Sequence, residues 1–151
     1  MCLFTHDSIT FKRRIDLEHP YIESIWIEIE LSSFNILICN IYRHPKSSNS
    51  WYSSFTEMLD SAWLENKNII LMGDFNIDLL EPQDSWNDIF NSFNLTQIIS
   101  LPTRVTPTHS SLIDHIYTNN IDLISEICVP LTGLSDHYPV SCTINKCYFK
   151  F

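Results

Sequence analysis

Residues 68–76 read Asn68-Ile69-Ile70-Leu71-Met72-Gly73-Asp74-Phe75-Asn76, an apolar run that ends in a glycine, a carboxylate and a carboxamide. A short continuous apolar run bounded by polar residues fits a strand buried on both faces. Asp74 and Asn76 then stand where that strand leaves its sheet, a place where α/β proteins gather chemistry. The glycine is informative through scarcity. The chain has two, Gly73 and Gly133, where average usage would give roughly ten. Gly133 lies just ahead of Ser135-Asp136-His137, so backbone freedom is expected at two points, each beside an acidic cluster.

Upstream, Ile25, Ile27, Ile29 and Leu31 alternate with Ser24, Trp26, Glu28 and Glu30, the period of a half-buried strand over Ser24–Leu31. Asn35–Tyr42 reads as a second strand, paired with the first as a hairpin across a Ser32-Ser33 turn. Arg43–Ser50 is polar, carries Pro45 and reads as a loop. Ser50 is placed to cap a helix in which Trp51, Phe55, Met58, Leu59 and Ala62 recur at helical spacing until Asn66. Strand, helix, strand returns the chain parallel to its starting direction. Downstream, the pattern predicts a helix over Ser85–Asn94 with Trp86, Ile89, Phe90 and Phe93 inward, then a short strand at Gln97–Ile99. A loop through Pro102 and Pro107 follows, with a short strand around Arg104-Val105. Strands are predicted at Leu112–Thr118, Ile124–Pro130 and Val140–Asn145. No repeat, low-complexity tract or linker divides the chain, so residues 1–151 are expected to form a single domain.

With 151 residues, 44% of them hydrophobic and 18% charged, the chain can bury one sizeable core. A formal charge of −9 argues against wrapping nucleic acid by charge alone. It leaves a nuclease open, because a bound metal offsets carboxylates locally. Lys12-Arg13-Arg14 and Arg43-His44-Pro45-Lys46 are the basic clusters, read either as phosphate contacts or as solvated loop charges. The five cysteines form an odd set with no C-x-x-C pair or metal-ligand spacing. Met1–Thr10 has no charged-then-apolar leader pattern, so a reduced, intracellular protein is expected. No apolar run reaches the ~18 residues of a membrane span, and a soluble chain is expected.

Three carboxylates, Asp74, Asp114 and Asp136, fall at strand ends or in adjoining loops, with Asn76 and His137 beside two of them. Hard oxygen ligands of this kind suit a magnesium ion that shares its remaining sites with a substrate phosphate, which suggests phosphate ester cleavage. Taken singly, each residue also has a structural reading. Asp74 fits a turn, Asp114 a core-edge carboxylate paired with a cation, and His137 a satisfied core histidine. A serine hydrolase relay is excluded for Ser135, Asp136 and His137, because adjacent residues of an extended segment point in opposite directions.

The pieces Ile41-Tyr42-Arg43 with Pro45, Gly73-Asp74-Phe75-Asn76, Leu101-Pro102-Thr103-Arg104, Leu112-Ile113-Asp114-His115-Ile116 and Ser135-Asp136-His137-Tyr138-Pro139-Val140 occur in that order over about two thirds of the chain. In this set the chain resembles the endonuclease/exonuclease/phosphatase superfamily, and within it the endonuclease domain of non-LTR, LINE-like retrotransposon polyproteins. The resemblance implies an α/β fold, a four-layer sandwich of two mixed β-sheets flanked by helices. It implies that Asp74 orients or deprotonates the attacking water and that Asn76 holds the scissile phosphate. His137 would donate to a phosphate oxygen, Asp114 would hold that imidazole, and Tyr42 would face the phosphate. Asp136, with Asp74, would sit at a Mg2+ ion, Mn2+ being the alternative, and Thr106 or Thr108 would match a phosphate contact. DNA is the implied substrate, the nucleus the implied location, and a reverse transcriptase domain the implied neighbour in a full polyprotein.

The resemblance further implies an asparagine and a metal-holding glutamate ahead of the strand that Met1–Thr10 resembles. Asp7, Asp16 and Glu18 match segments downstream of that glutamate, so none inherits its role. The expectation is a sandwich that is incomplete, with an uncovered sheet edge and inner face, binding magnesium weakly and cleaving DNA slowly or not at all. A non-catalytic binding module of the same fold and a small-molecule or lipid phosphodiesterase are the other readings. Tyr42-Arg43 and the Ser135–Val140 ending point away from the last.

Overall fold

The alternating segment forms strand β2 (Glu23–Glu30) and pairs antiparallel with β3 (Asn35–Tyr42), giving the expected hairpin. The structure, a computed structural model, describes residues 1–31 and 34–145, and the expected Ser32-Ser33 turn lies outside them. Helix α1 (Asn49–Trp63) crosses over to β4 (Asn68–Asp74), which lies parallel to β3. The helix starts two residues ahead of the expected position, capped at Ser48 rather than Ser50, because the Trp51 amide already bonds the Ser48 carbonyl at 3.0 Å. Helix α2 (Asp84–Ser92) follows, and its Trp86 and Phe90 are buried.

With β1 (Phe11–Arg13), β5 (Thr96–Gln97) and β8 (Asp114–Thr118), these strands make a six-stranded mixed sheet in the order β1-β2-β3-β4-β8-β5. The hairpin of β6 (Arg104–Val105) and β7 (Ser110–Ser111) stands apart, as does the pair β9 (Ile124–Cys128) and β10 (Ser141–Ile144). Met1–Thr10 is not a strand. The strand nearest the start is β1, three exposed residues on the rim of β2.

Side-chain alternation divides the sheet into two apolar faces. Leu37, Cys39, Ile41, Ile69, Leu71 and Tyr117 pack against α1 and α2 through Phe55, Met58, Trp86 and Phe90. The intervening residues Ile36, Ile38, Ile70, Met72 and Ile116 pack against Ile124, Cys142 and Ile144 of the smaller sheet and against Val140 just ahead of it. Helices, large sheet and small sheet are the layers of an endonuclease/exonuclease/phosphatase-type sandwich, and among the described residues no α-helix covers the outside of β9–β10. On the inner face an apolar gap of about 240 Å³ remains between Ile29, Ile36 and Ile144.

Gly73 holds φ +145° inside β4, and a Cβ there would lie 1.8 Å from the Ile41 carbonyl oxygen. Only glycine lets β3 approach at that point. Gly133 has open space around it and no such requirement, so the second point of backbone freedom is not imposed by packing. The Lys12-Arg13-Arg14 cluster is mostly spent on structure. Arg13 pairs with Glu18, and buried Arg14 pairs with Asp16, Glu28 and Glu65 at 2.6 to 2.7 Å. Lys67 joins Glu28 and Glu65 to complete a network of two cations and three carboxylates.

Candidate active site

Register places three of the expected residues in one row. Tyr42 lies opposite Asp74 in the parallel pairing of β3 with β4, and Asp74 lies opposite Asp114 in the antiparallel pairing of β4 with β8. Directly opposed residues project from the same face. This row has the parity of Ile70, Met72 and Ile116, so it faces the smaller sheet. A cavity of about 430 Å³ opens beside Tyr42 and Asp74.

Beyond Asp74 the chain turns sharply. Asn76 takes φ +49°, its amide donates to Asp74 Oδ1 at 2.9 Å, and its side-chain Nδ2 donates to the Arg43 carbonyl at 2.8 Å. Asparagine tolerates this left-handed backbone better than most residues. Burial raises the Asp74 carboxyl above its usual range and the nearby Asp114 charge adds to that, while the Asn76 amide opposes it.

His137 arrives from the loop between β9 and β10. Val105 N–H donates to the Asp136 carbonyl at 2.8 Å, Tyr138 N–H donates to the Thr103 carbonyl at 2.6 Å, and Arg104 bridges His137, so residues 103–105 zip onto residues 136–138. Buried Thr103 then ties this segment to the start of β8, its Oγ1 accepting from the amides of Ile113 and Asp114 at 3.1 and 2.9 Å. The outcome is His137 Nδ1 at 3.0 Å from Asp114 Oδ2. A carboxylate partner requires the proton on Nδ1 and leaves Nε2 for a second partner.

Asp74, Asp114 and His137 bring ligand-type atoms within 4.8 Å of one another. Asp136 is not in that group: its Oδ2 lies 2.8 Å from Arg104 Nε, which holds its carboxyl below the usual range. Thr106 is occupied in the β6–β7 turn, where its Oγ1 bonds the backbone of His109, and Thr108 is exposed.

Two supports beneath the site were not anticipated from sequence. The Arg43 amide donates to the Asp74 carbonyl at 2.9 Å, its Nη1 donates to the Phe75 carbonyl at 3.3 Å, and its guanidinium carbon sits 5.4 Å from the ring centroids of Trp51 and Tyr52. Arg43 is therefore a buried brace, not a solvated loop charge. His115, next to Asp114, donates through Nε2 to the carbonyls of Ile77 and Leu112 and accepts at Nδ1 from Tyr117 OH, which in turn accepts from Trp86 Nε1. Two carbonyl partners fix that tautomer. The advance signals were that Arg43 and His115 both sit inside the ordered motifs and that Arg43 opens a basic cluster; neither signal indicates a supporting role.

Residues 36–141 match the family described as endonuclease-reverse transcriptase, a span that contains Tyr42, Asp74, Asp114 and His137. The chain belongs to this family. Among solved structures, the family fold is shared with the endonuclease domain of TRAS1, a telomere-specific non-LTR retrotransposon, at TM-score 0.75 and 18% identity over 94% of this chain and 71% of that one. An endonuclease/exonuclease/phosphatase family protein from Leptotrichia buccalis aligns at TM-score 0.62 and 17% identity, over 81% of this chain and 53% of that one. A Staphylococcus aureus beta toxin variant with bound magnesium ions aligns at TM-score 0.52 and 13% identity, over 81% of this chain and 57% of that one. No curated protein matches the sequence. At family level the function is that of a nuclease- or phosphodiesterase-type hydrolase. Among the described residues no helix is long and apolar enough to cross a membrane.

Proposed function

We propose that this chain hydrolyses phosphodiester bonds in DNA with the help of a divalent metal, magnesium in the first instance and manganese as the alternative. The observation that carries the reading is the 3.0 Å contact of His137 with Asp114 beside Asp74, an acid–base pair and a carboxylate at one strand-end row. The donor set fits a metal. Asp74 is a partly desolvated carboxylate with Asp114 across from it, and a cation there relieves both burdens. Asp74 and Asp136 are the proposed oxygen ligands, Asp136 after leaving Arg104. When bound, the ion supplies charge neutralisation on the phosphate.

The chain's own residues do the remaining work. Asp74 orients the attacking water and takes its proton. The Asn76 side-chain carboxamide and the Tyr42 hydroxyl position the scissile phosphate. His137 donates a hydrogen bond to a phosphate oxygen as negative charge builds, and Asp114 holds the ring in orientation. The ligand cluster contains no glutamate among the described residues. Fewer carboxylates mean a weaker site, so metal binding is weak and turnover slow.

Incision of supercoiled plasmid tests the reading: slow magnesium-dependent nicking, lost in Asp74→Asn and slowed by about 10²–10⁴ in His137→Ala, is expected. Nicking at the parent's rate in either variant, or none with either metal, overturns it.

A further inference from the structure

Arg104 and His137 are opposed in an antiparallel bridge, so their side chains emerge on the same face, one carrying the imidazole of the site and the other a guanidinium. That guanidinium is half exposed, at 44%, and is held through Nε by Asp136, itself 46% exposed, at 2.8 Å. Among the described cations, Arg13, Arg14 and Lys67 pair with glutamates and Arg43 is buried under the loop, while Lys12 lies exposed in β1 and Lys46 in the loop after β3. A polyanion approaching a chain of charge −9 needs a cation beside the carboxylates, and Arg104 meets that need.

We infer that Arg104 is a binding residue for a backbone phosphate of the nucleic acid, with Asp136 standing in for that phosphate in the free chain. An exposed ion pair is weak and exchanges readily. A guanidinium takes two phosphate oxygens in the same fork geometry that it offers a carboxylate. Exchange also frees the Asp136 carboxylate. The contact is to a phosphate, so it adds affinity without reading sequence. The inference rests on the phosphodiesterase reading and extends it to a residue given no role there.

The test is binding of a labelled short DNA duplex with phosphorothioate linkages, which resist hydrolysis, in magnesium over a series of salt concentrations. Arg104→Ala is expected to weaken binding about tenfold and to lower the slope of log affinity against log salt by about one. Arg104→Lys should keep that slope while losing part of the affinity. An unchanged slope in Arg104→Ala, an equal loss in both variants, or no measurable binding by the parent chain overturns the inference. Melting curves that match the parent confirm that each variant is folded. Binding with the expected slope but no Asp74-dependent nicking would sink the hydrolase reading and leave Arg104 as a phosphate contact.

Discussion

Asp74 and Asp114 face each other across the β4–β8 ladder, two carboxylates in directly opposed positions. Like charges so placed destabilise a sheet by roughly 0.2–1 kcal/mol, and Asp74 is also partly desolvated. With its carboxyl raised in the folded state, the Asp74 site is most stable when protonated and loses stability as pH rises through that range. Asp74→Asn keeps an oxygen for the Asn76 amide and removes the charge. The variant is expected to be more stable than the parent by up to about 1 kcal/mol near neutral pH without metal, while losing nicking. Urea denaturation of the two proteins checks the first half, and a destabilised variant would contradict it.

Metal should act on the same pair. Saturating magnesium is expected to raise the melting temperature by about 2–4 °C, the shift that roughly 1 kcal/mol gives in a chain of this size. In Asp74→Asn the rise should vanish. Differential scanning fluorimetry with and without chelator is sufficient.

His137 and Asp114 are expected to behave as one unit. His137→Ala should lower the nicking rate by about 10²–10⁴, and Asp114→Ala by less. The double variant should be little worse than His137→Ala, since Asp114 acts through the ring. Additive losses would show that Asp114 has an independent role.

Gly73→Ala should be among the most damaging single changes. Its Cβ would meet the Ile41 carbonyl oxygen at 1.8 Å, and the φ of +145° is hostile to any side chain. Strand β3 would have to move, at a cost of about 3 kcal/mol or more. Gly133→Ala, with nothing near its Cβ, should change stability by less than ~0.5 kcal/mol. Equal effects in chemical denaturation would refute this account of the two glycines.

Acid should unfold the chain through two windows. Burial lowers His115 from 6.5 to about 4, so it is neutral when folded; its contribution is complete above pH 6.5 and is lost as pH falls toward 4. That shift corresponds to about 3 kcal/mol. Glu28 is lowered from 4.5 to about 2, chiefly by its bond to Lys67, so its contribution is lost below pH 4.5. His115→Gln should flatten the upper window and leave the lower one, as read from stability measured against pH.

The sequence alone determined most of the strands and their succession along the chain, though not β1 or β7. Apolar period two over Glu23–Glu30 and the unbroken run before Gly73 are local patterns that the sheet preserves. Ordered motifs carried the family and singled out Asp74, Asp114 and His137, which the fold brings together, because residue type and spacing survive without coordinates. Tertiary structure decided what no local pattern encodes. Thr103 joins two segments that reach Asp114 and His137 from different parts of the chain. Arg43 belongs under the site loop because Trp51, Tyr52 and Phe75 converge on it. Asp136 meets Arg104, 32 positions earlier, because a β-bridge brings the two segments side by side. Hydrogen bonds and ion pairs between distant residues depend on the packed register of strands, and that register is fixed only when the two apolar faces of the sheet are buried together.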